Sequence, residues 1–225
     1  MKKLFIFFIF LSFGVTHAQQ KKSLHKGFIY LTDLIPHIEV DLKYYSNHNF
    51  VGRKIDGYNA HKVILTEKAS IAVQKIENEL NKEGLGLKVY DAYRPQTAVN
   101  HFKRWAKDIK DTTMRQEFYP RVDKRDLFKK GFIASKSGHS RGSTIDLTII
   151  DLKSKKELDM GVAFDFFGEE SGHGYSKLTS LQKSNRIKLK SIMEKYGFKP
   201  YSKEWWHYTL IDEPFKETYF DFKIN

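Results

Sequence analysis

The sequence contains no cysteine, and this absence limits the chain more than any residue it does contain. No disulfide can staple it, so the fold has to be held by a packed core. No lipid-modified cysteine can tether it. Thiolate is also missing from the available metal ligands, so any metal centre has to be assembled from His, Asp and Glu. With 225 residues, 40% of them hydrophobic and 15% aromatic, there is enough apolar material for one sizeable core. That composition excludes a disordered chain, and no internal repeat or low-complexity tract divides it.

The first 18 residues stand apart. Lys2 and Lys3 precede an apolar stretch from Leu4 to Val15, and Thr16-His17-Ala18 supplies small residues where a signal peptidase reads. This predicts a signal peptide over 1–18 and a mature catalytic chain over 19–225, periplasmic or secreted. The apolar stretch is shorter than the roughly 20 residues a bilayer requires, so no integral membrane segment is expected after cleavage. Formal net charge is +12, or +10 without Lys2 and Lys3. A basic surface attracts anionic polymers. The basic residues are scattered and no nucleic-acid motif accompanies them, so nucleic acid is not expected as a partner. For an exported chain, cell-wall association fits the charge better.

Residues 19–60 read as irregular except for Ile38-Glu39-Val40-Asp41-Leu42, which alternates apolar and acidic. Thr66 reads as an N-cap, with Ala69, Ala72, Val73, Ile76 and Leu80 at helical spacing behind it and Gly84 as the stop. Leu85 to Asp91 reads as a strand that Arg94-Pro95 ends. A helix over 97–107 and a basic connection over 118–136 follow. Ile145 to Ile150 is β-branched and strand-like. A long helix over 179–196, with Leu181, Leu189, Ile192, Met193 and Tyr196 inward, stops at Gly197, and a strand runs from Trp206 to Ile211. Helices and strands without a βαβ rhythm predict a single α+β domain, a small central antiparallel sheet flanked by helices.

Two stretches carry chemistry. In Ser137-Gly138-His139-Ser140-Arg141-Gly142-Ser143-Thr144-Ile145-Asp146, a small-residue loop delivers a histidine and a carboxylate enters an apolar strand. A carboxylate in that position is costly unless it is paired or bound to metal. A salt-bridged Asp with a capping His explains the pattern equally well. The second stretch is Glu204-Trp205-Trp206-His207-Tyr208-Thr209-Leu210. Strict strand alternation would put Glu204 and His207 on opposite faces, so Glu204 has to sit on the turn ahead of the strand for both to reach one site. An aromatic core strand with an incidental His is the alternative. Together, two His and one Asp leave a fourth zinc position open, as catalytic sites require. Glu204 is then a candidate base, and Arg94 a candidate to stabilise an oxyanion. His25, His37, His48, His61, His101 and His173 have no interpretable partner spacing.

These stretches, with Asp91-Ala92-Tyr93-Arg94-Pro95, Asp41-Leu42-Lys43-Tyr44, Asn49-Phe50-Val51-Gly52, Ala134-Ser135-Lys136-Ser137 and Met160-Gly161-Val162-Ala163-Phe164-Asp165-Phe166-Phe167, resemble the D-alanyl-D-alanine dipeptidases of vancomycin-resistance type. That zinc peptidase family also contains D,D-carboxypeptidases. The resemblance covers nearly all of the mature chain in order. It implies one zinc ion per chain on His139, Asp146 and His207, at one end of the sheet. It makes Glu204 the base and proton shuttle, and Arg94 the group that stabilises the tetrahedral intermediate. Asp165 would bind the substrate amino group, with Ser137 and Tyr44 touching substrate. The implied activity is hydrolysis of D-Ala-D-Ala in wall turnover or resistance. The alternatives are D,D-carboxypeptidase action on longer peptides, or a non-catalytic wall-binding module that retained zinc. The chain departs from the pattern in having Thr144 where the family usually has alanine, and Gly138 where the closest dipeptidases have serine.

Overall fold

The structure is a computed structural model that describes residues 24–225; the expected signal segment, 1–18, lies outside the described residues. The two runs that read most clearly as strands form the middle of the molecule. They are β4 (Leu85–Asp91) and β5 (Thr144–Asp151), the latter buried along nearly its whole length. Around them lie β1 (Phe28–Tyr30), β2 (Glu39–Val40), β3 (Ile64–Thr66), β6 (Phe198–Tyr201) and β7 (Glu204–Leu210). Five of these form a sheet in the order β2-β4-β5-β7-β6, and β1 pairs with β3 separately. Within the sheet every pairing is antiparallel except β2 with β4. The expected α+β antiparallel sheet therefore holds, with one parallel edge strand.

The helices are α1 (Leu31–Leu34), α2 (Glu67–Asn81), α3 (Gln96–Lys107), α4 (Arg115–Phe118), α5 (Leu127–Lys130) and α6 (Ser180–Lys195). The Thr66 hydroxyl caps α2 by accepting the Ala69 N–H. Ala69, Val73, Ile76 and Leu80 are buried, while Ala72 is half-buried against the core. Thr179 and Gln182 form a reciprocal capping box on α6. Leu189, Ile192 and Met193 point inward as expected, but Leu181 is 64% exposed. The inward position in that first turn belongs to Gln182, which lies on the stripe of Asn185, Leu189 and Ile192 and is occupied by the cap.

Two further corrections concern connections. The segment read as irregular contains β1 and the single-turn α1, and the basic connection contains α5, which ends on left-handed Gly131. Elements of three or four residues are too short to express a period. One continuous apolar core runs from Phe28 to Ile224 and joins sheet and helices. Among the described residues no helix is long and apolar enough to cross a membrane.

Candidate metal centre and active site

Three strands bring the site into register. Asp91, Asp146 and His207 lie directly opposite one another across β4, β5 and β7, and residues so paired share a face of the sheet. An irregularity in β4 achieves this, and a second one, between β6 and β7, brings Glu204 to the same place. In β4 the register shifts between Val89 and Asp91; without that bulge Tyr90 would face Asp146. In β7, Glu204 pairs with Tyr201 across the two-residue turn Ser202-Lys203, and the register then shifts before Pro200 pairs with Tyr208. The shift breaks alternation, so Trp205 and Trp206 are both buried while Glu204 and His207 both reach one cavity. Glu204 is thus the first residue of the strand and not part of the turn, and a bulge resolves the alternation problem.

His139 arrives from a short 3-10 turn, Gly138–Arg141, just ahead of β5. Ser137 caps that turn, its hydroxyl accepting the His139 N–H at 3.3 Å. The turn closes on Gly142, whose left-handed φ of +79° and contact with the Phe28 ring leave no room for a side chain. The His139 Nδ1 lies 2.7 Å from the Ala92 carbonyl. A carbonyl only accepts, so Nδ1 carries the proton and the Nε2 lone pair faces the cluster. From Nε2 it is 3.1 Å to Asp146 Oδ2 and 3.3 Å to His207 Nδ1, and His207 Nδ1 is 3.0 Å from Asp146 Oδ1.

Donors held at about 2.0–2.2 Å in tetrahedral geometry stand about 3.3–3.6 Å apart, a few tenths of an ångström wider than the 3.0–3.3 Å found here. Asp146 Oδ1 is buried and accepts no hydrogen bond of proper geometry, as expected of an oxygen whose partner is an ion. Burial works against charge on Asp146, but His139 and His207 more than reverse this and hold its carboxyl below the usual range. Burial, reinforced by Arg94, lowers His139, which eases loss of the proton that a metal ligand must give up. Burial works against charge on His207, but Asp146 more than reverses this and raises it. Two imidazoles and one carboxylate, with no thiolate, fit zinc well.

Glu204 Oε2 lies 3.5 Å from His207 Nδ1. Burial pushes its carboxyl up to about 7; His207 pulls the other way and Asp146 adds to the rise. Arg94 is fastened by Nε to Asp91 Oδ2 at 2.8 Å, and its Nη2 reaches Asp146 Oδ2 at 3.4 Å. The guanidinium sits over the Tyr44 and Phe102 rings, 5.0 and 5.2 Å from their centroids. Asp91, fully buried, also accepts the Tyr58 hydroxyl at 2.6 Å and lies 3.6 Å from His139 Nδ1.

Asp165 lines the same cavity. It is a non-glycine residue at φ +61°, an uncommon conformation that marks a constrained position. The Tyr44 hydroxyl donates to its Oδ2 at 2.9 Å. Burial, with Asp146 adding, raises its carboxyl well above the ordinary value, although Tyr44 opposes the rise. The loop that presents it is pinned by buried Arg186 of α6, which donates to the carbonyls of Met160, Glu170 and Gly172 at 2.7–2.9 Å. A cavity of about 280 Å³ collects Tyr44, Arg94, Ser137, Asp146, Asp165, Glu204 and His207 on its walls, with Phe132, Ala134 and Lys136 nearby. His139 is buried directly behind. All eight residues expected from sequence therefore converge.

The supporting residues were less visible. Asp91 lies in the D-x-x-R spacing noted above, but Tyr58, Tyr201 (its ring 5.6 Å from His207) and Arg186 carry no local signal.

Residues 24–225 match the family of D-ala-D-ala dipeptidases. The D-alanyl-D-alanine dipeptidase of Enterococcus faecalis is 39% identical over 202 residues, 90% of this chain and 100% of the relative. That of Streptomyces coelicolor is 38% identical over 197 residues, 88% of this chain and 98% of the relative. Among solved structures, a mutant vancomycin-resistance D,D-pentapeptidase VanY in complex with Zn(II) matches with a TM-score of 0.40 and 12% identity, covering 70% of this chain and 78% of that one. On the extent of the family match and the identity to these relatives, the chain belongs to the D-ala-D-ala dipeptidase family.

Proposed function

We propose that this protein is an exported zinc dipeptidase that hydrolyses D-alanyl-D-alanine to D-alanine. The observation that carries this reading is the gathering of two sets of groups at one small cavity. One is His139, Asp146 and His207 with Glu204 and Arg94, and the other is Asp165 with Tyr44. One zinc ion, held by the first three, would supply Lewis-acid chemistry, polarising the scissile carbonyl and making water acidic near neutral pH.

The protein's own groups do the rest. The substrate ammonium offsets the burial that raises Asp165, the Tyr44 hydroxyl steadies the resulting carboxylate, and the buried pair selects a free amino terminus. Ser137 keeps a hydroxyl proton to donate at the cavity wall while its oxygen caps the His139 turn. Glu204 Oε2 takes a proton from the attacking water and returns it to the departing amide nitrogen; a carboxyl near 7 suits both directions. The Arg94 guanidinium hydrogen-bonds the carbonyl oxygen as negative charge grows there.

Export rests on the Lys2 to Ala18 pattern, and a mature chain beginning near Gln19 in the periplasmic or culture fraction tests it. For the activity, D-alanine release from free D-Ala-D-Ala is compared with release from its N-acetylated form, using zinc-loaded mature protein. Release from the free dipeptide alone, abolished by a chelator, is the expected result. Comparable release from the acetylated form indicates a D,D-carboxypeptidase. No release with zinc bound indicates a wall-binding module. Glu204→Ala is expected to keep zinc and lose most turnover, and full kcat in that variant removes Glu204 from the chemistry.

A further inference from the structure

The turn that carries Arg94 leads straight into α3, and α3 has no cap of its own. Pro95 stands at the N-cap position, and no side chain there accepts a hydrogen bond. The missing acceptor comes from the far end of the chain. Asp221 Oδ1 accepts the Thr97 N–H at 2.6 Å and Oδ2 accepts the Thr97 hydroxyl at 2.9 Å. The residue before it reaches in two directions. The Phe220 carbonyl accepts the Gln96 N–H at 3.1 Å, and the Phe220 N–H donates to the Ser140 carbonyl at 2.8 Å. One backbone unit thus ties the Arg94 turn to the His139 turn. Two residues on, the Phe222 carbonyl accepts the Tyr93 hydroxyl at 2.9 Å and the two rings stack at 4.1 Å. Ile224 then pairs with the loop of Tyr58, whose hydroxyl holds Asp91.

We propose that residues 220–224 are a strap that sets Arg94 against the ligand cluster, with Asp221 as the positioning residue on the arginine side. None of them lines the cavity, so the strap acts only through the segments it joins. Arg94 has one short side-chain fastening, to Asp91, and its contact with Asp146 is 3.4 Å. Beyond the Tyr44 and Phe102 rings beneath it, where its guanidinium lies depends on the backbone from Asp91 to Thr97, and the strap grips that segment through the Tyr93 side chain and the Gln96 and Thr97 N–H groups. A misplacement of about 1 Å at a reacting centre can cost about 10²-fold in rate. Asp221 is itself exposed, so substituting it leaves the core intact.

The inference rests on the role given to Arg94 above, and the test separates the two. Asp221→Ala, Arg94→Ala and the double variant are compared for kcat, KM and zinc affinity, with Asp221→Asn as the conservative control. Asp221→Ala is expected to lower kcat at least about tenfold with KM within about twofold and zinc affinity unchanged. Asp221→Asn, which keeps a capping oxygen, restores most of the rate. In the Arg94→Ala background Asp221→Ala costs nothing further. The same loss in both backgrounds, no loss at all, or a fall in zinc affinity that matches the fall in kcat overturns the strap. Wild-type turnover by Arg94→Ala overturns the role of Arg94 itself, and the strap with it.

Discussion

A side chain at position 138 has to displace the Thr144 hydroxyl. A Cβ built on Gly138 would lie 2.7 Å from Thr144 Oγ1, with Arg141 Nη2 at 3.5 Å and Thr209 Oγ1 at 3.6 Å. Thr144 cannot yield easily. It is fully buried, its β-branched side chain is stiff, and its Oγ1 is bonded to Thr209 Oγ1 at 2.9 Å. The backbone raises no objection, because Gly138 is not left-handed. Gly138→Ser should therefore destabilise by about 1–3 kcal/mol through overpacking alone. Thr144→Ala removes the obstructing atom and costs about 1 kcal/mol for the lost hydrogen bond. The double variant should cost little more than Thr144→Ala by itself, a favourable coupling of about 1–3 kcal/mol.

Gly138 and Thr144 are then one arrangement: the threonine hydroxyl occupies the space that a residue larger than glycine would need. Denaturant unfolding of the four proteins measures the coupling, and for a chain of this size 1 kcal/mol also moves Tm by about 2–4 °C. Because Gly138 precedes His139, zinc affinity should fall in Gly138→Ser and recover in the double variant. Additive effects, agreeing within about 0.5 kcal/mol, would refute the steric argument.

Three further expectations follow from buried carboxylates. Burial raises the Glu77 carboxyl, although the Leu87 N–H it accepts at 2.7 Å opposes the rise. The folded state thus binds that proton more tightly than the unfolded state, and the contribution of Glu77 to stability is lost as pH climbs from the unfolded pKa through the folded one. In Glu77→Gln, Tm against pH should be flatter across that window, and an unchanged slope would count against the assignment. Tyr58→Phe leaves the buried Asp91 carboxylate short of one donor and should cost about 1–3 kcal/mol together with a fall in kcat; unchanged denaturation and rate would show that the bond contributes nothing. Asp165→Asn should lower kcat/KM for the free dipeptide by about 10²-fold or more with zinc affinity unchanged. Wild-type kcat/KM in that variant would show that Asp165 does not read the amino terminus.

What could be read from sequence, and what could not, divides by the distance along the chain over which each feature is determined. Thr66 is legible as a cap because a cap and its helix are adjacent. The strands at 85–91 and 144–151 were legible because β-branched and alternating residues persist long enough to show a period. His139 and Asp146 were legible because a loop histidine and a strand carboxylate stand seven residues apart in one local unit. Leu181 was misread because an apolar residue in a first turn gives no sign that a capping glutamine holds the inward position.

The offsets that bring these residues together share a deeper cause. Asp91 faces Asp146 only because β4 bulges, and Glu204 shares a cavity with His207 only because β7 slips against β6. A bulge is an offset between two strands, so neither strand's own sequence contains it. The same holds for the cap on α3, where acceptor and donor are separated by 124 residues, and for the Tyr58 hydroxyl on Asp91, 33 residues away. Ligands and acid–base groups are thus recognisable from residue type, because zinc and proton transfer admit few side chains. The geometry that makes them act together lies in tertiary offsets and in a C-terminal strap made of ordinary residues. Substitutions at Asp221 or Tyr58 should therefore impair catalysis while every recognisable motif remains intact.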